Sequence, residues 1–194
     1  MNKGILFVLS GYLMWGCFPL YWALLNHVNP SEVLIHRMLW AVPVLFLLVH
    51  FKPSWKNNFK ESLSSKKELV FLFITAILIT INWGGYIYAV NLGRVVEASM
   101  GYFLSPVINM IGGYIFFHER ISKLKQLAVF FATVGALYYV FSGDSFPWLG
   151  FLVGFTFSAY GIARKAMASS AVPGLYIETL ILLPFLLIFS LWFY

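Results

Sequence analysis

Seven apolar runs, separated by short polar ones, account for most of this chain of 194 residues. They are Gly4–Leu25, Val33–Phe51, Leu69–Val90, Ala98–Phe117, Leu127–Ser142, Phe146–Ala163 and Leu175–Tyr194. The fifth is the shortest and is expected to begin nearer Gln126. Of 20 charged residues, only Arg37 and Glu178 fall inside a run. A helix rises about 1.5 Å per residue, so about 20 residues cross the roughly 30 Å hydrocarbon core of a bilayer. Lipid offers the backbone no hydrogen-bond partner, which leaves helices or closed barrels as spanning structures. None of the runs alternates polar with apolar positions, so a barrel is excluded. The pattern predicts an all-α, polytopic helical membrane protein with about seven transmembrane helices.

The connections Asn26–Glu32, Asn91–Glu97, His118–Gln126 and Gly143–Ser145 are too short to hold a soluble domain. The longest break, Lys52–Glu68, is basic and polar and reads as a cytoplasmic loop. Tight connections imply antiparallel neighbours in a bundle. Composition agrees. The chain is 61% hydrophobic, 20% aromatic and 10% charged, with a mean hydropathy of +0.83. A disordered chain has the opposite balance, and a soluble globule of this size has too little interior for so many large apolar side chains. Cys17 is the single cysteine, which excludes a disulfide scaffold.

A net charge of +6 raises the question of nucleic acid, but its distribution answers otherwise. With the N-terminus inside, the inner ends collect Lys3, Lys52, Lys56, Lys60, Lys66, Lys67, Arg120, Lys123, Lys125, Arg164 and Lys165, and the outer ends only Arg94. That is the positive-inside signature. It sets orientation in the cell membrane with a cytoplasmic N-terminus, and nucleic acid is not expected as a partner. The first run is too long for a secretory h-region and lacks a small-x-small cleavage site, so it reads as a span.

An internal repeat is also legible. Residues 4–16, GILFVLSGYLMWG, and 149–161, LGFLVGFTFSAYG, are 145 apart. Each ends in aromatic-Gly and precedes a Pro-containing turn, at Asn29-Pro30 and Pro173-Gly174. Five spans per unit is odd, so a second unit enters from the opposite face, as in inverted-repeat transporters. The expected division is residues 1–142, a first five-helix unit, and 143–194, the first two helices of a second. Two full units need about 290 residues at this spacing, so the chain is expected to be incomplete.

Several polar residues inside the runs are candidates for chemistry. Arg37 follows His36 within the second run; an Arg mid-span costs on the order of 3 kcal/mol, less near an edge. It either snorkels or pairs with Glu97, or it faces an aqueous cavity that receives a polar or anionic solute. Glu178 is either an edge carboxylate paired with Arg164 or Lys165, or a proton site. In the fourth run Glu97, Gly101, Ser105, Asn109 and Gly113 recur every four residues and share a face. Pro106 breaks a backbone bond there and predicts a kink that frees a carbonyl near Tyr102. That face is either a small-residue packing stripe or a cavity wall. Asn82, before Trp83-Gly84-Gly85-Tyr86, needs a partner if buried, from a helix or a ligand. Trp15 and Pro19-Leu20-Tyr21-Trp22 form an interfacial belt or a stacking wall.

Enzymatic constellations are missing. Asp144 is the sole aspartate, so a paired-aspartate protease is excluded. His27, His36, His50 and His118 lack metal-ligand spacing, and neither a Gly-x-Ser-x-Gly elbow nor a phosphate loop occurs. No enzyme, metal or cofactor is expected.

The motifs Trp15-Gly16 with Phe18-Pro19-Leu20-Tyr21-Trp22, His36-Arg37 with Trp40, Asn82-Trp83 and Ala89-Val90-Asn91 form a recognisable series. It continues with Glu97-Ala98-Ser99, Gly101-Tyr102-Phe103, Pro106, Asn109, Glu119-Arg120, Pro147-Trp148, Tyr160-Gly161, Arg164-Lys165 and Pro173-Gly174 with Glu178-Thr179. The chain resembles the RarD-like permeases, EamA-type members of the drug/metabolite transporter superfamily. The resemblance implies ten helices in two inverted five-helix repeats with both termini inside. It differs by ending near the seventh helix, and it lacks the first-helix Glu of the smallest relatives in the superfamily. The expected function is a permease moving a small organic drug or metabolite by alternating access, with proton coupling. Arg37, Asn82, Tyr102, Ser105, Asn109 and Trp15 would line its cavity, and Glu97, Glu178 and His36 would serve coupling or gating. Its partners would be the bilayer, the solute and protons, and a second copy in a homodimer. The rival expectation is a truncated, non-transporting scaffold.

Overall fold

The computed structural model describes residues 3–143 and 145–193. Asp144, the sole aspartate, lies outside the described residues. The helices are α1 (Lys3–Leu24), α2 (Pro30–Phe51), α3 (Pro53–Ser64), α4 (Lys66–Asn91), α5 (Val95–Phe117), α6 (Lys123–Ser142), α7 (Trp148–Lys165) and α8 (Ala171–Phe193). Among the described residues there is no strand. Among the described residues, each apolar run falls in its own helix except for Leu25, Phe146 and Pro147 at run ends, and several helices start earlier than the run because polar residues cap them. Asn29 accepts from the Ser31 N–H at 3.0 Å ahead of Pro30, Ser65 from the Glu68 N–H at 3.3 Å, and Ser122 from the Lys125 N–H at 3.4 Å. Such caps satisfy N–H groups that have no intrahelical partner. The fifth run therefore becomes a helix from Lys123, ahead of Gln126.

Two expectations change. Lys52–Glu68 is not a loop throughout, because α3 occupies most of it. Its composition is polar, but Trp55, Asn58, Phe59 and Ser62 follow helical spacing and turn inward while Lys56 and Lys60 stay exposed. Phe59 stacks on Tyr176 with ring centroids 5.3 Å apart. The second change is at Pro173-Gly174, which sits in the first turn of α8 rather than in a turn between helices. The missing proline N–H costs nothing in a helix's first turn. Glu178 consequently lies two turns inside α8.

Among the described residues, six helices are long and apolar enough to cross a membrane by length and composition: α1, α2, α4, α5, α6 and α8. The expected seventh, α7, has 18 residues with Arg164 and Lys165 in its last turn. It nevertheless runs the depth of α5. Leu149 meets Glu97 at one end, Ser158 meets Ser105 midway, and Lys165 meets Glu119 at the other end. The chain is thus a multi-pass helical membrane protein. Its centre is α4, which packs against α1, α2, α5, α7 and α8. Leu72, Ala76, Ala89, Leu149 and Val153 are fully buried there. Outward positions are apolar: Phe7, Phe116 and Phe141 are 75%, 67% and 83% exposed. In water that surface would be untenable; against acyl chains it is solvated.

The α5–α7 seam is the closest. On α5, Gly101 and Ser105 are four apart; on α7, Gly150, Gly154 and Ser158 are too. A Cβ on Gly154 would lie 2.6 Å from the Gly101 carbonyl oxygen, and one on Gly150 would lie 2.5 Å from that of Glu97. Only small residues allow parallel backbones to approach this far.

Candidate functional site

Arg37 projects from α2 toward α1 and α4. Its guanidinium lies 3.9 Å from the centroid of the Trp83 ring and 5.6 Å from that of Trp22. An aromatic face attracts a guanidinium electrostatically, most strongly where water is scarce. Among the described residues no carboxylate reaches Arg37. Glu97, one expected partner, is held instead by Arg94 at 2.6 Å and by the Leu149 N–H at 2.8 Å, so it caps α7. His36 is exposed, about 100° round the helix from Arg37, and shares none of its contacts.

Beside the Arg37–Trp83 stack lies a polar chain. Tyr102 on α5 donates its hydroxyl to Asn82 Oδ1 at 3.5 Å. Asn82 Nδ2 donates to the Val153 carbonyl at 2.8 Å and to Thr156 Oγ1 at 3.2 Å, both on α7. Asn82 is 1% exposed, and these bonds answer its need for partners. Rings surround the tyrosine: Trp15 at 6.1 Å, Phe157 at 5.3 Å and Tyr86 at 5.8 Å between centroids. Trp15 and Trp22 are seven residues apart, two turns along one face of α1. Trp15, Arg37, Asn82 and Tyr102 are thereby gathered by four different helices.

Ser105 and Asn109 are placed elsewhere. Ser105 is buried in the α5–α7 seam, donating to the Gly101 carbonyl at 3.3 Å, and its own carbonyl accepts from Ser158 at 3.5 Å. Asn109 and Pro106 border a cavity of about 380 Å³ between α5, α6 and α7, whose basic end holds Arg120, Lys125 and Lys165. Asn109 is two turns from Tyr102 along α5, so Arg37 and Asn109 do not converge on one point. The four-residue stripe divides accordingly: its first half packs and its second half faces space.

Glu178 forms a third cluster. It is 1% exposed and accepts from Thr75 Oγ1 at 2.7 Å and the Tyr160 hydroxyl at 3.2 Å. Arg164 Nη1 lies 3.6 Å away. Arg164 also donates to Ser169 Oγ at 2.9 Å and to the Ser170 carbonyl at 2.8 Å. Across the α7–α8 turn, Glu68 accepts from the N–H groups of Ala168 and Ser169, and Asn58 from that of Ser170. At the same end of α7, the Lys165 ammonium bonded to Glu119 holds its carboxyl below the usual carboxylate range, with Lys125 adding to the effect.

The sequence placed Trp22 only in a belt or stacking wall with Trp15, and it did not assign Trp83, Phe157, Thr75 or Tyr160 to any cluster. A tryptophan that covers a cation reads the same in sequence as one that anchors an interface. The Gly150-x3-Gly154-x3-Ser158 spacing was the available signal for the α7 seam.

The model of the EamA-like transporter family matches residues 2–141. The chain is 35% identical over 185 residues to "Uncharacterized transporter YojE" of Bacillus subtilis, covering 94% of this chain and 62% of that protein. It is 35% identical over 183 residues to "Protein RarD" of Escherichia coli, again covering 94% and 62%. To "Chloramphenicol-sensitive protein RarD" of Pseudomonas aeruginosa it is 30% identical over 194 residues, covering 98% and 65%. The chain therefore spans a little under two thirds of the length of these relatives. No solved structure matches it. A bundle of apolar helices and a family match over most of its length lead to one conclusion: this chain belongs to the EamA-like transporter family, a family of membrane transporters rather than enzymes, with RarD proteins among its relatives.

Proposed function

We propose that the protein is a permease for a small organic solute carrying an anionic or strongly polar group, working by alternating access with its N-terminus in the cytoplasm. The observation that carries this reading is Arg37. It is a cation within a span, stacked on Trp83, with no carboxylate partner among the described residues. An intramembrane charge left in that state is expensive, and a solute anion arriving beside the Trp83 and Tyr102 rings would supply the missing countercharge. Trp15, Trp22, Tyr86 and Phe157 would offer faces for an apolar portion of the same solute. Asn82 is committed to α7, so it would position Tyr102 more than bind solute. Asn109 lines the separate inner cavity and would meet a solute only on its way to or from the cytoplasm.

Proton coupling is the finer part of the proposal. Glu178 is the candidate, since Thr75 and Tyr160 donate to it and it bridges α4, α7 and α8. Glu97 caps α7 and is better suited to holding the outer ends of α5 and α7 together.

The test is solute flux in proteoliposomes. Arg37→Ala is expected to remove flux while leaving the amount inserted in the membrane unchanged. Arg37→Lys is not expected to restore it, because an ammonium has no planar face to stack on Trp83. Undiminished flux in Arg37→Ala would refute the assignment.

A further inference from the structure

The cavity between α5, α6 and α7 is separate from the Arg37 cluster, and its lining is divided. Met110, Phe117, Ala128 and Ile162 make an apolar wall, while Arg120, Lys125 and Lys165 stand at one end. Glu119 is the lone carboxylate in the lining among the described residues, and Lys165 neutralises it. Lys165 is also fixed over the Phe117 ring, 4.8 Å from its centroid. Arg120 and Lys125 therefore remain as two cations, both exposed and with no carboxylate in ion-pair contact among the described residues. They lie where α5 ends and α6 begins, the depth at which lipid headgroups sit.

We infer that this groove is a binding site for an anionic phospholipid, its phosphate held by Arg120 and Lys125 and its acyl chain laid against Met110, Ala128 and Ile162. Charge complementarity argues for an anion, since the lining carries two cations in excess. The apolar wall argues against a free soluble anion, which would gain nothing from it. The volume of about 380 Å³ equals that of about a dozen water molecules, more than a bare phosphate fills. Basic pockets between transmembrane helices are a recurrent lipid-headgroup geometry.

The experiment uses the intact protein, stripped of lipid in detergent and read by native mass spectrometry, so membrane orientation does not enter. Phosphatidylglycerol and phosphatidylcholine with identical acyl chains are titrated in parallel. Phosphatidylglycerol is expected to bind at much lower concentration. The double variant Arg120→Gln/Lys125→Gln is expected to weaken it by roughly tenfold or more. Lys56→Gln/Lys60→Gln, on the exposed face of α3, is expected to leave binding unchanged. Ala128→Trp keeps every charge and fills the groove, so it should abolish retention, and it decides the matter if the double variant fails to fold. Equal binding of the two lipids, binding unaffected by the double or groove-filling variants, or displacement of phosphatidylglycerol by excess inorganic phosphate would each overturn the proposal.

Discussion

Replacing Gly154 by alanine tests the α5–α7 seam with one methyl group in place of a hydrogen. The new Cβ would stand 2.6 Å from the Gly101 oxygen, 3.2 Å from its carbonyl carbon and 3.3 Å from its Cα. A carbon and a carbonyl oxygen rest at about 3.3 Å or more, so the helices must part by about 0.7 Å. Every obstructing atom is backbone, and no side chain can swing away. A gap of that size forfeits a quarter to a half of each dispersion contact along the seam. Overpacking of this kind costs about 1–3 kcal/mol, offset in part by up to about 1 kcal/mol of alanine's helix propensity. The net expectation is a loss of about 1–2 kcal/mol. Gly135 on α6 is the internal comparison: nothing lies within 4 Å of a Cβ there, so Gly135→Ala should gain roughly 0.5–1 kcal/mol. Unfolding of the intact protein in mixed micelles with rising SDS fraction, followed by helical ellipticity, measures both. The reasoning fails if Gly154→Ala is as stable as wild type, or if the two substitutions cost the same.

Glu178→Ala should be more damaging, about 3–5 kcal/mol in the same assay, because it removes the only carboxylate beside Arg164 among the described residues and the acceptor of the Tyr160 hydroxyl, while Thr75 keeps the Leu72 carbonyl at 3.2 Å; a loss under about 1 kcal/mol would show that the bonds of Arg164 to Ser169 and Ser170 suffice without a countercharge. Glu178→Gln keeps one acceptor and should cost visibly less. For Glu119, the folded carboxyl ionises below its unfolded value of about 4.3. The contribution of its ion pair is therefore complete above that value and disappears as pH falls through the lower folded one. The protection factor of the Glu119 N–H, which bonds the Gly113 carbonyl at 3.1 Å, should hold until pH has fallen below the ordinary carboxylate range, and Lys165→Gln should move the onset of its loss upward. An unchanged onset would remove Lys165 from the account.

Span positions were legible because lipid imposes one rule on every backbone group, and a run of apolar residues near 20 long has no other stable use. What escaped was local. Within Lys52–Glu68 the polar composition concealed a helical register that Trp55, Asn58, Phe59 and Ser62 share. Pro173-Gly174 read as a turn because proline usually breaks helices, yet a first-turn proline does not. The small-residue stripe of α5 was visible, but its partner could be found only by adding α7, and the stripe proved to change role at Ser105. Arg37 stood out by its cost. Its covering by Trp83 did not, since pairing across helices depends on rotation about the helix axes, which single-helix periodicity leaves undetermined. Glu97 followed the same logic: its sequence neighbour Arg94 claimed it rather than the distant Arg37.

The turn between α7 and α8 is fastened almost wholly through its main chain. Glu68 and Asn58 take its amides, and Arg164 takes two of its carbonyls; Ser169 alone contributes a side-chain oxygen. A clasp of this sort does not read the letters it closes on. Residues 168 and 170 are free to drift without loosening it, whereas Asn58, Glu68 and Arg164, which do the clasping, are not.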